Sequence, residues 1–369
     1  MEVKFVNLAL QYQPHIDKII DGLKEVITAA SFVGGSALED FELEIARYIG
    51  TKYCVGVGSG TDALYLSLLA YGIGPGDEVI VPANTFIATA FAVSLTGAKI
   101  VFVDVDSKTY LMDLHKMFYA ITPKTKAIIP VHLYGQCCDV SAIKSLLGGR
   151  DIKIIEDCAQ AFGSRYKNAK AGSIGDVGCF SFYPAKNLGG LGQGGCITTN
   201  NKEIADKIRS FGDVGRSLTN RWEHSLVGFN SRLDTINAVF IKLMLEHVPD
   251  WNAKRVYLAY LYNSGLANIK EVKTPYSNID NYHIYHLYEL KCRNREERNA
   301  LRGFLSSKHI QTGLHYPIPC HKQKPYQDLN CKLPVVESLA DTLLSLPIHP
   351  TLTEGEVDYV VNCIKEFYK

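Results

Sequence analysis

No stretch of the 369-residue chain reaches the ~18 consecutive apolar residues that a membrane-spanning helix requires. The opening Met1-Glu2-Val3-Lys4-Phe5 lacks the basic start and long apolar segment of a secretory leader, so the expected location is cytoplasmic. An excess of charge is missing as well. Lys and Arg number 39 against 38 Asp and Glu, a formal net charge of +1. Partners that demand a concentrated basic surface, nucleic acid or an anionic membrane, are therefore not expected. There are ten cysteines but no CxxC pair. The one tight pair, Cys137-Cys138, is poorly placed to chelate or bridge, and Cys54, Cys158, Cys179 and Cys196 sit in apolar runs. Reduced, buried thiols in a cytosolic protein are the expectation, with no metal site and no disulfide framework. Internal repeats, low-complexity stretches and long linkers are also lacking.

The remaining composition is ordinary for a globular protein, 47% hydrophobic and 21% charged, and the length suits two domains. Between about residues 53 and 200, short β-branched runs alternate with helical patterns. The predicted strands are Tyr53–Val57, Glu78–Val81, Lys99–Val105, Lys126–Val131, Lys153–Glu156 and Gly178–Phe182. Helical patterns at Asp62–Tyr71, Phe86–Leu95 and Val140–Leu147 separate several of them. This spacing predicts an α/β fold with a mostly parallel sheet covered on both faces, and such sheets bind ligands at the carboxyl ends of their strands. Pro14–Ala30 reads as a helix ahead of this core. Lys202–Phe211, Leu233–Val248 and Trp251–Leu266 read as helices after it. The remainder reads as a smaller α+β unit with a strand at Tyr285–Lys291, helices near Arg295–Ser306 and Val335–Leu343, and a last helix opened by a capping box from Thr353 to Glu356.

Chemistry concentrates at a few positions. In FSFYPAKNLGGLGQGG a strand runs into Pro184, then Lys186, then five glycines between 189 and 195. A lysine just past a strand end projects into a cleft, and its amine becomes a nucleophile when desolvated; a solvated loop lysine is the plain alternative. Asp157 closes the apolar strand of IKIIEDCAQA at a ligand-facing position, or else caps a helix, and alternation turns Glu156 the other way. Gly58-Ser59-Gly60-Thr61-Asp62 opens a helix and exposes backbone N–H groups suited to a phosphate. It is neither a Walker motif nor a complete dinucleotide fingerprint, because the third glycine and the ribose-binding acid are missing. Phe86 could stack on a flat ring or simply pack in the core. Ser181 could bond a phosphate or its own backbone, and Asn230 and Arg232 in GFNSRLD could form only a turn and cap. His283 and His286 form HxxH in a strand-like run that would put the rings on opposite faces, against a metal pair. His315 and His321, flanking Tyr316-Pro317-Ile318-Pro319, are the better substrate-pocket candidates.

Taken together, GSGTDAL, PANTFIATA, VFVDVD, AIIPVHLYGQ, EDCAQAFGSRYK, FSFYPAKNLG, GFNSRLD and LHYPIPCH resemble, in order and along essentially the whole chain, the DegT/DnrJ/EryC1/StrS sugar aminotransferases. The resemblance implies the pyridoxal-5′-phosphate (PLP) transferase fold of type I, like aspartate aminotransferase, with a PLP-binding large domain over residues 1–248 and a small C-terminal domain over 249–369. It implies that Lys186 holds PLP as a Schiff base, that Asp157 pairs with the pyridine nitrogen and that Gln160 lies beside the phenolic oxygen. Phe86 would stack on the ring, and Gly60, Thr61 and Ser181 would contact the phosphate. Asn230 would reach the phosphate of a neighbouring subunit, which implies a homodimer with shared active sites.

Within the family, VHLYGQ and FYPxKNLGxLG resemble enzymes that aminate a 3-keto position, nearest to those acting on dTDP-3-keto-6-deoxyhexoses. Tyr183, His315 and Tyr316 would face the sugar, and L-glutamate would be the amino donor. Gln193 departs from the aspartate common in relatives. UDP-linked 3-keto sugars, 4-keto sugars on other nucleotides, and a non-catalytic regulatory protein of the same fold are the competing readings. Dehydratase relatives carry histidine where this chain has Lys186.

Overall fold

The computed structural model describes residues 1–369. Strands β1 (Tyr53–Val57), β2 (Glu78–Pro82), β3 (Lys99–Val103), β4 (Thr125–Ile128) and β5 (Lys153–Asp157) are followed by the two-residue strands β6 (Arg165–Tyr166) and β7 (Ala169–Lys170). Then come β8 (Val177–Ser181), β9 (Gly195–Thr199), β10 (Asn281–Tyr282), β11 (Tyr288–Lys291) and β12 (Leu343–Leu346). Seven of them form the central sheet, in the order β1-β9-β8-β5-β4-β2-β3. Pairs from β8 through β3 are parallel, whereas β9 lies antiparallel to both β1 and β8. Strand β2 is buried along its whole length, as expected of a parallel strand covered on both sides.

The helices are α1 (Leu8–Tyr12), α2 (Ile16–Thr28), α3 (Ser36–Ile49), α4 (Gly60–Ala70), α5 (Ile87–Leu95), α6 (Leu114–Tyr119) and α7 (Val140–Leu147), then α8 (Lys202–Gly212), α9 (Thr235–Leu245), α10 (Val248–Leu266), α11 (Arg295–Ser307), α12 (Pro334–Thr342) and α13 (Glu354–Phe367). Buried apolar residues fall into three clusters. One gathers residues of the sheet with α4, α5 and α7, and a second joins α3, α9 and the buried face of β8. The third draws on residues 258–364 together with Val3. Cys320, Tyr326 and Val336 belong to the first cluster, so the C-terminal region sends a lobe back onto the sheet.

The capping box stands as read: Thr353 Oγ1 accepts from the Glu356 N–H, and the Glu356 carboxylate accepts from the Thr353 N–H. Nine cysteines are buried and Cys331 is partly exposed, all as free thiols. Several boundaries move. The fourth strand stops at Ile128, two residues before Pro130, which has no N–H to give the ladder. The small-domain strand begins at Tyr288 rather than Tyr285, because Tyr285 adopts φ +48° and breaks the extended backbone. The connecting helix starts at Val248, three residues ahead of Trp251, with Pro249 in its first turn. Five strands escape sequence reading: the two-residue β6, β7 and β10, and the longer β9 and β12. Strand β9 emerges directly from the glycine run, and β12 follows α12 without a break.

Candidate functional site

Lys186 stands on the loop between β8 and β9, adjacent antiparallel strands. The loop is drawn in from both ends. Phe182 N–H donates to Gly194 O at 2.8 Å and Gly190 N–H donates to Phe182 O at 2.8 Å. From α9, the Asn237 amide accepts from Leu191 N–H at 2.9 Å and donates to Gln193 O at 2.7 Å. The glycines permit this closeness: a Cβ on Gly190 would lie 2.3 Å from Asn237 Oδ1, and one on Gly195 would lie 2.5 Å from Ser59 O. The Lys186 ammonium faces a cavity of about 490 Å³. Burial lowers its pKa to about 8, against the opposing pull of Asp157.

Asp157 ends β5 and lines the same cavity. Its Oδ2 accepts from Thr89 Oγ1 at 2.8 Å and its Oδ1 from Ala159 N–H at 3.1 Å. Burial pushes its pKa up, with those two bonds and the Lys186 charge working the other way. Glu156, next door, points to the other face. Its carboxylate accepts the N–H groups of Gly172, Ile174 and Gly175 and bonds His132 Nε2 at 2.8 Å. His132 Nδ1 in turn accepts the Cys138 N–H at 2.9 Å. With these lone pairs committed, the cluster of His132, Glu156 and Cys158 reads as a locked structural contact.

Gly60 and Thr61 open α4 on the cavity wall. Ser59 caps the helix by accepting the Asp62 N–H at 3.1 Å. A Cβ on Gly60 would come within 2.7 Å of Ser181 Cβ, so the helix N-terminus and the end of β8 form one narrow cradle. Phe86, Gln160 and Tyr183 line the cavity too, as do His315 and Tyr316. Gln160 is fixed in orientation: its Oε1 accepts the Tyr134 N–H at 2.7 Å and its Nε2 donates to the Tyr316 oxygen at 3.0 Å. The rings of Phe86 and Tyr316 lie 5.8 Å apart.

Behind His315 runs a relay absent from the sequence reading. His315 Nδ1 meets Ser345 Oγ at 2.6 Å, and Ser345 Oγ donates to Glu289 Oε1 at 2.5 Å. Burial and the Lys186 charge hold the imidazole down to about 4, and burial lifts Glu289 to about 8. Nothing in the local pattern of YELK marks Glu289, because its partner arrives from β12 across a separate strand pairing. Thr89 did carry a signal, as one of only two polar residues, with Ser94, in an apolar helix and three positions after Phe86.

Two expectations change. His321 does not face the cavity. It is buried, with Nε2 on Glu337 Oε1 at 2.9 Å, since the short 3-10 turn at Cys320–Lys322 rotates it away from Tyr316. His283 and His286 part company through bonds to Tyr134 O and Asn187 Oδ1, not through strand alternation. Asn230 is exposed and does not line the cavity of its own chain; its Oδ1 accepts from Arg232 Nη2 at 2.7 Å. Gln193 lines the cavity mouth.

Lys186 and the buried Asp157 thus line one cavity beyond the strand ends of an α/β sheet, together with Gly60 and Thr61 at the start of α4 and Ser181 at the end of β8. The chain belongs to the DegT/DnrJ/EryC1/StrS aminotransferase family, which it matches over residues 15–365; this is a family of PLP-dependent nucleotide-sugar aminotransferases. It is 39% identical over 358 residues to the UDP-2-acetamido-2-deoxy-3-oxo-D-glucuronate aminotransferase of Pseudomonas aeruginosa, covering 97% of this chain and 98% of that protein. It is 39% identical over 373 residues to the dTDP-3-amino-3,6-dideoxy-alpha-D-galactopyranose transaminase of Aneurinibacillus thermoaerophilus, covering 100% and 98%. Among solved structures it resembles DesV of S. venezuelae in complex with a ketimine intermediate, with a TM-score of 0.96, 38% identity and coverage of 100% and 99%. No helix is long and apolar enough to cross a membrane.

Proposed function

We propose that this aminotransferase moves the amino group of L-glutamate to the 3-keto carbon of a dTDP-3-keto-6-deoxyhexose, giving a dTDP-3-amino-3,6-dideoxyhexose. The observation that carries the reading is the convergence of Lys186 and Asp157 on one cavity that Gly60 and Ser181 also line. The residues fit PLP. Asp157 is a buried carboxylate held by a hydroxyl and one amide N–H, and burial pushes its pKa up, so a protonated ring nitrogen beside it would favour its ionised form. The cradle excludes side-chain bulk where a phosphate would sit. Bound there, PLP supplies the electron sink for carbanion chemistry.

The chain's own groups do the rest. With a pKa near 8, Lys186 is free base in about a tenth of molecules at pH 7, enough to act as nucleophile and covalent anchor. With the cofactor bound, the freed Lys186 Nζ would be the group that carries the proton to and from the reacting substrate carbon. Asp157 holds the ring nitrogen protonated, and Thr89 fixes the carboxylate in place. The N–H groups of Gly60 and Thr61 and the Ser181 hydroxyl take the phosphate. Phe86 stacks on the ring, Gln160 sits by the phenolic oxygen, and Tyr183, His315 and Tyr316 face the sugar. Asn230, exposed beyond the pocket of its own chain, reaches the phosphate of a second copy in a homodimer. Residues 1–248 bear the cofactor, and 249–369 form the smaller domain.

The Pseudomonas aeruginosa and Aneurinibacillus thermoaerophilus relatives bear names that place the chemistry at the sugar's third carbon, one on UDP and one on dTDP, so a UDP-linked 3-keto sugar is the second reading. Assaying dTDP- and UDP-linked 3-keto sugars with glutamate separates them. Lys186→Ala tests the core claim: the visible absorbance of lysine-bound cofactor and all turnover should vanish, and retained transamination would refute it.

A further inference from the structure

Beside the main cavity, and sharing Lys186, Tyr183, Gln160, His315 and Tyr316 with it, lies a second chamber of about 160 Å³. Its inner wall carries Arg255 of α10, 6% exposed. This arginine has no carboxylate partner. Its Nη1 donates to the carbonyl oxygens of Tyr285 (3.3 Å), His286 (3.3 Å) and Ile348 (2.6 Å), its Nε is buried without a partner, and Nη2 makes none of these bonds. Three carbonyl contacts hold the guanidinium still but leave its charge uncompensated, and burial brings its pKa down to about 10.

The chamber's other residues deepen the imbalance. No Asp or Glu lines it, and Lys186 supplies a second cation. His286 and His315 are held neutral, both with Lys186 among the causes. His286 is further fixed by Asn187 Oδ1 at 2.8 Å, so its ring cannot swing to the arginine. A chamber with the Arg255 guanidinium in its wall, Lys186 at its edge and no lining carboxylate attracts an anion. Its volume falls well short of the ~300–1,000 Å³ of sites that take drug-sized ligands, so a small molecule fits and a nucleotide does not. With Nη1 spent on carbonyls and Nε buried, Nη2 is the nitrogen left to donate a charge-assisted bond to a carboxylate oxygen.

We propose that the Arg255 chamber is the binding site for a carboxylate of the amino-acid donor, which places the donor's amine beside Lys186. This inference rests on the aminotransferase reading above and adds the donor subsite to it. The sugar's nucleotide enters the larger cavity, and the donor's carboxylate goes to the arginine, so the two substrates share the reacting centre but are recognised on different walls.

The test uses the PLP-loaded protein and Arg255→Gln, which keeps an amide donor while removing the charge, with Arg255→Lys as companion. Calorimetry with 2-oxoglutarate, and a spectrophotometric titration of the glutamate half-reaction, should each show affinity weakened about tenfold to a hundredfold in the glutamine variant. The lysine variant should be intermediate, and the KM for a neutral keto sugar unchanged. Wild-type affinity for 2-oxoglutarate in either variant overturns the proposal. So does a loss confined to sugars bearing their own carboxylate, which would reassign the arginine to the sugar. Should Arg255→Gln lose its fold, judged by melting and by cofactor absorbance, the lysine variant decides by the same affinity. Because 2-oxoglutarate binding is read without turnover, a wild-type protein that binds it tightly but does not transaminate would fault the enzymatic reading and leave the subsite standing.

Discussion

The state of Lys186 before catalysis can be read directly. An unperturbed lysine at pH 7.5 is about a thousandth free base, whereas one with a pKa near 8 is about a quarter free base, a gain of more than two orders of magnitude in nucleophile. The cause is burial against the cavity wall, and Asp157 limits the shift by favouring the ammonium. In cofactor-free protein, the initial rate of covalent PLP capture, followed by the rise of visible absorbance, should climb with pH and level off with a midpoint near 8. Asp157→Asn removes the stabilising anion, so the midpoint should move lower even as the variant loses catalysis. A wild-type midpoint near 10.5 would mean that the amine is solvated, and an upward shift in the asparagine variant would mean that Asp157 does not act on Lys186. Either result would refute the electrostatic account.

Asp157→Asn should cut turnover by two or more orders of magnitude while cofactor absorbance survives, since losing one partner of a buried ion pair costs about 3–5 kcal/mol; steady-state kinetics beside the absorbance spectrum checks this. Gly60→Val should weaken cofactor retention on dialysis, because even its Cβ would press to 2.7 Å from that of Ser181; unchanged retention would remove the cradle from the phosphate site. Stability should fall between pH 6.5 and 5. His283, His315 and His349 are each held near 4 by burial, so the unfolded chain binds more protons in this window. Each contributes roughly 1–2 kcal/mol that is present above the unfolded pKa and lost as pH falls. Glu289, raised to about 8, and Asp157, also raised by burial, act oppositely and lose their contribution as pH rises, but His286, lowered by burial as well, joins the other three histidines and keeps the net slope positive. Urea melts across this range give the measurement, and a flat or inverted profile would contradict it.

Local pattern was enough to locate the parallel strands, because residues such as Val79, Ile80 and Val81 are buried on both faces and so are apolar in an unbroken run. It placed Asp157 at the end of its strand and Lys186 on the loop beyond its own, while leaving a helix cap and a solvated loop lysine open as the plain alternatives. The capping box at Thr353 is legible for the same reason: its partners are three residues apart. What only the tertiary structure decided involves groups distant in the chain. Strand β9 is a strand because β1 and β8 lie on either side of it, and its glycine-led sequence carries little propensity of its own. Thr89 reaches Asp157 across 68 residues, the His315–Ser345–Glu289 relay joins three segments, and Arg255 acquires its chamber only when α10 meets the turn at Tyr285 and the carbonyl of Ile348. The same physics made His321 misleading: its spacing from Tyr316 was readable, but the 3-10 turn that buries its ring against Glu337 was not. Short-range pattern records what each segment must bury or cap. Which polar groups then face one another is set by packing, which no single segment contains.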